Sequence, residues 1–182
     1  MLLIFLGLVL WFYPHLMKSL TPGLRARMPD KAAKGLVAVT ALLSIVLMVI
    51  GYRTAEAGYV YTPPEWGKPL NNLLMLIAVA MFGVGHSKSR LRGMIRHPMF
   101  LGTGLWAVSH LLVRGDGAAV LLFGGLLFWS IVGVIVAGRS PHQPAGYTPG
   151  GLRSEVILAV ITLVIYGLIV GVHFAFGLSP FS

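Results

Sequence analysis

The stretch from Gly117 to Ala137 reads GAAVLLFGGLLFWSIVGVIVA and contains no charged side chain. A run of about 20 apolar residues is what an α-helix needs to cross about 30 Å of hydrocarbon. Lipid offers no partner for a backbone N–H or C=O, so an isolated apolar run of this kind must pair its own peptide groups, as a helix does. Gly124, Gly125 and Gly133 within it are small residues of the type that lets neighbouring membrane helices approach closely.

The rest of the chain repeats the pattern. Five more apolar stretches run from about Leu2 to Leu20 (with Pro14 inside), Lys34 to Tyr52, Pro69 to Ser87, Pro98 to Val113 and Glu155 to Gly177. The run at 98–113 is the shortest, which calls for a smaller tilt, an earlier start or partial shielding by neighbours. Of the 182 residues 57% are hydrophobic and only 10% charged, against about 25% charged in a typical soluble domain. The short alternating segments of a transmembrane barrel are missing. The expected fold is therefore all-α, a polytopic transmembrane bundle of about six helices forming a single domain over residues 1–182. The first stretch lacks a basic n-region and a small-residue cleavage site, so it is expected to remain as a mature helix.

Charge orients the bundle. A net charge of +9 invites a nucleic-acid reading, but the basic residues lie between apolar runs, where a membrane surface explains them better; no nucleic-acid partner is expected. Of the 14 lysines and arginines only Arg53, Lys68 and Arg114 fall in one set of loops, and the remaining eleven fall in the other. For a bacterial inner-membrane protein the positive-inside rule puts the eleven in the cytoplasm and both termini in the periplasm. The periplasmic segment Tyr59 to Asn72, YVYTPPEWGKPLNN, reads as an aromatic belt with a proline-rich turn, or as a lid over a cavity. Ser140 to Arg153 reads as a polar cytoplasmic loop.

There is no cysteine, which removes disulfides, thiolate ligands and cysteine nucleophiles. The chemistry rests on the six histidines. His142 falls in a loop, and His86 and His173 lie near helix ends where structural or interfacial roles suffice. His15 follows Pro14 in the first run, His97 opens the fourth, and His110 lies about 18 Å of helix rise beyond Pro98. Ionisable groups inside a membrane are costly and are functional candidates. His110 either donates to a backbone carbonyl or, as a neutral imidazole, ligates iron or another metal. In one helix His97 and His110 are separated by about 20 Å and a turn of about 140°. They cannot be the two axial ligands of one iron, so a second ligand comes from another helix, with His15 the best placed. Arg96 beside the helix start at Pro98 makes an anion site, suited to a haem propionate, a lipid phosphate, a substrate carboxylate or simple headgroup contact.

KGL at 34–36, GYR at 51–53, PPEW at 63–66, LLML at 73–76, RHPMFLG at 96–102, LWAVSHLL at 105–112 and LLFGG at 121–125 follow one another along most of the chain. On these motifs the chain resembles the NnrU family of bacterial membrane proteins. The resemblance implies a link to denitrification, through nitrite and nitric oxide reduction. NnrU proteins are in turn similar to the 15-cis-zeta-carotene isomerases of plants and cyanobacteria, which hold haem b through histidines. That likeness implies haem b as cofactor, His15, His97 and His110 as iron-ligand candidates with Arg96 beside the cofactor, and a haem-dependent isomerase as one possible activity. Membrane lipid, an apolar substrate and nitric oxide are the implied partners. A thiolate ligand swap has no residue to use here. RHPMFLG is also similar to the RHPxYxG-type element of membrane methyltransferases that use S-adenosylmethionine, though Phe100 stands in the tyrosine position and the later acidic pair is missing. A non-enzymatic role in assembling denitrification enzymes is the remaining alternative.

Overall fold

The computed structural model describes residues 1–138 and 147–181; Arg139 and His142 lie outside them. Eight helices follow in order among the described residues: α1 (Leu2–Leu20), α2 (Pro22–Ala26), α3 (Asp30–Arg53), α4 (Gly67–His86), α5 (Leu91–Met94), α6 (Pro98–Leu111), α7 (Gly117–Ala137) and α8 (Leu152–Ala175). The six expected helices are all present. The two extra ones, α2 and α5, are single turns in the basic connections. Four helices, α3, α4, α7 and α8, are long and apolar enough to cross a membrane, and the apolar part of α1, Leu2–Met17, is shorter. The chain is thus a membrane protein with several apolar helices. At 14 residues, α6 rises only about 21 Å. It is tolerated because α4 and α7 pack along its two sides, so little of its backbone must face lipid.

The long helices alternate in direction. At one end, Val60 N–H donates to Gly115 O (2.7 Å) and Gly117 N–H to Gly58 O (3.0 Å), joining the α3–α4 and α6–α7 connections. Tyr61 Oη caps the same junction by donating to the carbonyls of Leu111 and Arg114. At the opposite, basic end, Glu155 of α8 accepts from Ser89 Oγ (2.6 Å) and from Arg90 N–H (2.8 Å), and Gly150 N–H donates to Lys88 O (2.7 Å).

Packing follows from small residues where helices meet. A Cβ on Gly125 would lie 2.5 Å from Leu8 of α1, and one on Gly133 would collide with the Phe100 ring of α6. The expected close approach therefore holds at these two glycines, whereas Gly124 has nothing within 4 Å. The core at α1, α3 and α7 contains Ile4, Leu8, Met48, Ala118 and Leu126. Helix α8 packs on α4 and buries only Leu158 and Thr162, leaving most of its surface for lipid.

Asp116 caps α7: its Oδ1 accepts from Ala119 N–H at 2.9 Å. Loss of such a cap typically costs about 1 kcal/mol. Asp116→Ala is therefore expected to lower the thermal stability of the detergent-solubilised protein by about that amount, while Asp116→Asn, which can still accept, stays near wild type. Equal losses for both would show that the salt bridge to Arg114 (3.3 Å), not the cap, is what matters.

Candidate functional site

The six long helices do not fill the space between them. They enclose a chamber of about 1040 Å³, at the top of the about 300–1,000 Å³ typical of small-molecule sites. Its wall is almost wholly apolar and aromatic, with Trp11, Met48, Phe82, Phe100, Trp106 and Trp129 prominent. Helices α3 and α8 do not form a packed pair. Their residues on the chamber wall, Ile45, Val49, Ile161 and Ile165, are 42–51% exposed, so the chamber opens sideways between these two helices.

Three imidazoles interrupt the apolar wall: His15 from α1, His110 from α6 and His173 from α8. Each is held in the same way. Nδ1 lies 2.8 Å from the carbonyl oxygen four residues earlier in its own helix: Trp11 O for His15, Trp106 O for His110 and Ile169 O for His173. A carbonyl oxygen only accepts, so Nδ1 carries the proton, and in the neutral ring Nε2 keeps a lone pair. Metal-ligating histidines commonly have this arrangement, because the bond to the carbonyl fixes the tautomer and raises ligand basicity. The sequence reading set a carbonyl bond and a ligand role for His110 against each other; the geometry makes them compatible.

Aromatic packing sets the depth of two of the rings. His15 stacks on Trp11 (centroids 3.9 Å apart) and meets Trp129 edge-on (5.8 Å). His110 stacks on Phe123 (4.4 Å) and leans on Trp106 (5.0 Å). Phe123 and Trp129 are about 9 Å apart along α7, so His15 approaches the chamber from nearer the basic end and His110 from nearer the other. Two buried indole groups, Trp11 Nε1 and Trp129 Nε1, have no hydrogen-bond acceptor among the described residues. Such orphaned donors are rare in buried positions, and both flank His15.

The other candidates lie elsewhere. His97 is the N-cap of α6 and packs against Phe100 (6.2 Å). It borders neither the chamber nor the vestibule next to it, and neither does the exposed Arg96. His86 is also outside both cavities. The geometry thus brings His15 and His110 to one cavity, leaves Arg96 and His97 at its basic end, and adds His173, which sequence reasoning set aside as interfacial.

At the end away from the basic loops the chamber continues into a vestibule of about 410 Å³. Tyr52, Met75, His110, Phe123, Ile169 and His173 border both spaces. The vestibule is more polar, with Lys68, Asn71, Asn72, Arg114 and Tyr166 in its wall. The C-terminal tail forms part of its wall through Leu178, Ser179 and Pro180, and Asn72 Nδ2 donates to Pro180 O at 3.1 Å. The tail reaches that point because Gly177, just beyond the C-cap Phe176 of α8, has φ +73°, and Leu178 N–H then bonds back to His173 O at 2.9 Å. This is the glycine-ended turn that satisfies the last carbonyls of a helix.

Among the described residues no three His, Asp or Glu side chains come together to hold a bare metal ion. A tetrapyrrole, which brings four nitrogens of its own, asks for only one or two protein ligands, of the kind that isolated imidazoles on an apolar chamber wall could supply.

The model of the NnrU protein family matches residues 3–180. The chain belongs to the NnrU family. Neither the curated proteins nor the solved structures compared with it gave a match. For this NnrU family member the motifs quoted from the sequence converge in space. GYR contributes Tyr52 and Arg53 to the chamber wall, LLML contributes Met75, RHPMFLG contributes Met99 and Phe100, LWAVSHLL contributes Trp106 and His110, and LLFGG contributes Leu122 and Phe123. KGL and PPEW contribute nothing to it.

Proposed function

We propose that this NnrU family protein binds haem b in the chamber, in the inner membrane of a bacterium, with its basic end in the cytoplasm and its termini on the periplasmic side. One observation carries the reading: histidines on three different helices face one apolar cavity, each with Nδ1 tied to a backbone carbonyl and Nε2 left as a donor to metal. His110 is the ligand best placed: like His173 it borders both chamber and vestibule, and its ring is also fixed by stacking on Phe123. The second ligand position falls to His15 or His173, both on other helices, as the spacing within α6 requires. The buried indoles Trp11 and Trp129 supply hydrogen-bond donors on the His15 side.

Bound haem would supply one-electron chemistry or a coordination site for a diatomic such as nitric oxide, the type of ligand the denitrification link suggests. The protein's own contribution is to exclude water through the aromatic wall, to fix the imidazole tautomers, and to admit an apolar molecule through the gap between α3 and α8. The methyltransferase reading gains no support, because Arg96 and His97 border neither cavity.

The test is an absorption spectrum of the purified protein, oxidised and reduced, after expression with added haem. A Soret band that moves on reduction and co-elutes with the protein at close to one haem per chain is the expected result. A colourless protein that also fails to take up haem in a titration rules the reading out. Tight S-adenosylmethionine binding by the colourless protein would promote the methyltransferase instead.

A further inference from the structure

The sequence places very few cations at the end where the chain terminates, and the structure puts all three of them beside the ligand cavities. Arg53 borders the chamber, and Lys68 and Arg114 border the vestibule. None of the five acidic side chains borders either space. The positions follow from the helices. Lys68, Asn71 and Met75 are three or four residues apart on α4, a spacing that puts them on one face. Tyr166, Ile169 and His173 make the matching stripe on α8. Arg114 lies one turn beyond His110, its backbone N–H on His110 O at 2.9 Å. Its guanidinium is anchored from two sides, by Asp116 through Nε (3.3 Å) and by the Tyr52 ring 5.8 Å away. Asn71 is 8% exposed, and its Oδ1 has no hydrogen-bond donor among the described residues.

We infer that the vestibule is a carboxylate site, in which Lys68 and Arg114 hold the acidic end of the molecule whose apolar body lies in the chamber. Under the haem reading, on which this inference rests, the acidic end is the pair of propionates. The tetrapyrrole is then oriented with its propionates towards the end carrying the chain termini, away from Arg96. The physical reason is that, apart from Arg53 at the last residue of α3, the chamber wall is nearly devoid of polar groups that could compensate a carboxylate, and burying an uncompensated charge is costly. The vestibule is the adjoining space with fixed positive charge, and a charge-assisted hydrogen bond to lysine or arginine is stronger than a neutral one.

The experiment compares haem with its dimethyl ester, in which both propionates are neutral, by Soret titration of the full-length protein in a zwitterionic detergent. The wild type is expected to bind haem about tenfold tighter than the ester. In the Lys68→Gln/Arg114→Gln double variant that preference, read as the ratio of the two affinities, disappears. Lys68→Gln alone removes an exposed side chain and leaves the fold intact, and it is expected to give an intermediate preference. Arg96→Gln retains the wild-type preference. Equal wild-type affinities for the two porphyrins would overturn the inference while leaving haem binding in place, as would a preference that persists in the double variant or that Arg96→Gln abolishes. Binding of neither porphyrin removes the haem reading and this inference with it. If added anionic phospholipid, and not the ester state of the porphyrin, sets the affinity, the two cations serve lipid headgroups and the inference fails.

Discussion

Replacing His110 with alanine is expected, on the haem proposal, to lower haem affinity by more than about 100-fold, since loss of an outer-shell partner alone costs about 10–100-fold in metal affinity and this removes the proposed ligand itself. The effect should be spectroscopic before it is functional: no Soret band in the purified variant and a weak, shifted one at high haem concentration. The fold should survive. His110 contributes a stacked contact with Phe123, of a kind worth about 0.5–1.5 kcal/mol, and the neighbouring Ala107 and Ser109, both fully buried, are unchanged. Free imidazole added to His110→Gly should restore the band, because the cavity left by the ring is the size and shape of the reagent. The same pair of changes at His15 and at His173 then assigns the second position. A wild-type spectrum in His110→Ala would show that iron is not held there.

Reading the sequence was sufficient for the helices and insufficient for the cavity, and the reasons are physical. Hydrophobic runs report helices directly, because lipid imposes internal pairing on each run separately. The stretch at 117–137 is reproduced to the residue by α7. The faces that meet are not written in any one run. His173 looked interfacial because it is near the end of α8; that it lines the same cavities as His110 depends on α8 packing against α4, a long-range fact. Likewise Arg53, Lys68 and Arg114 were counted for topology alone, and their convergence on the cavities depends on two separate connections, α3–α4 and α6–α7, meeting at one end. A local signal was available for the histidines. Nδ1 of a helical histidine can reach the carbonyl four residues back, and in an apolar helix that leaves Nε2 as the one uncommitted polar atom. His15, His110 and His173 all obey that rule.

Filling the chamber is expected to be as damaging as removing a ligand, and it tests location independently of ligation. Met99, Thr103, Trp106 and His110 form one stripe along α6 at spacings of three and four residues, and all four border the chamber. Thr103 is the smallest of them, half-buried, with its hydroxyl satisfied by Met99 O at 3.1 Å. Thr103→Trp places an indole in the empty volume next to Trp106. In a close-packed core such a change costs about 1–3 kcal/mol through overpacking, but here the ring enters space that holds no protein atom, so the stability loss should be small. Haem capacity, by contrast, should fall at least about tenfold, because protein interiors deform too little to regain the lost volume. Leu101→Trp, on a 42% exposed position of the same helix, is the matched control and should bind haem as wild type does. If Thr103→Trp takes up haem as well as Leu101→Trp does, with helicity and elution volume unchanged in both, then the cofactor does not occupy the chamber. The shared histidine geometry would in that case reflect only the need of an intramembrane imidazole to satisfy its own N–H.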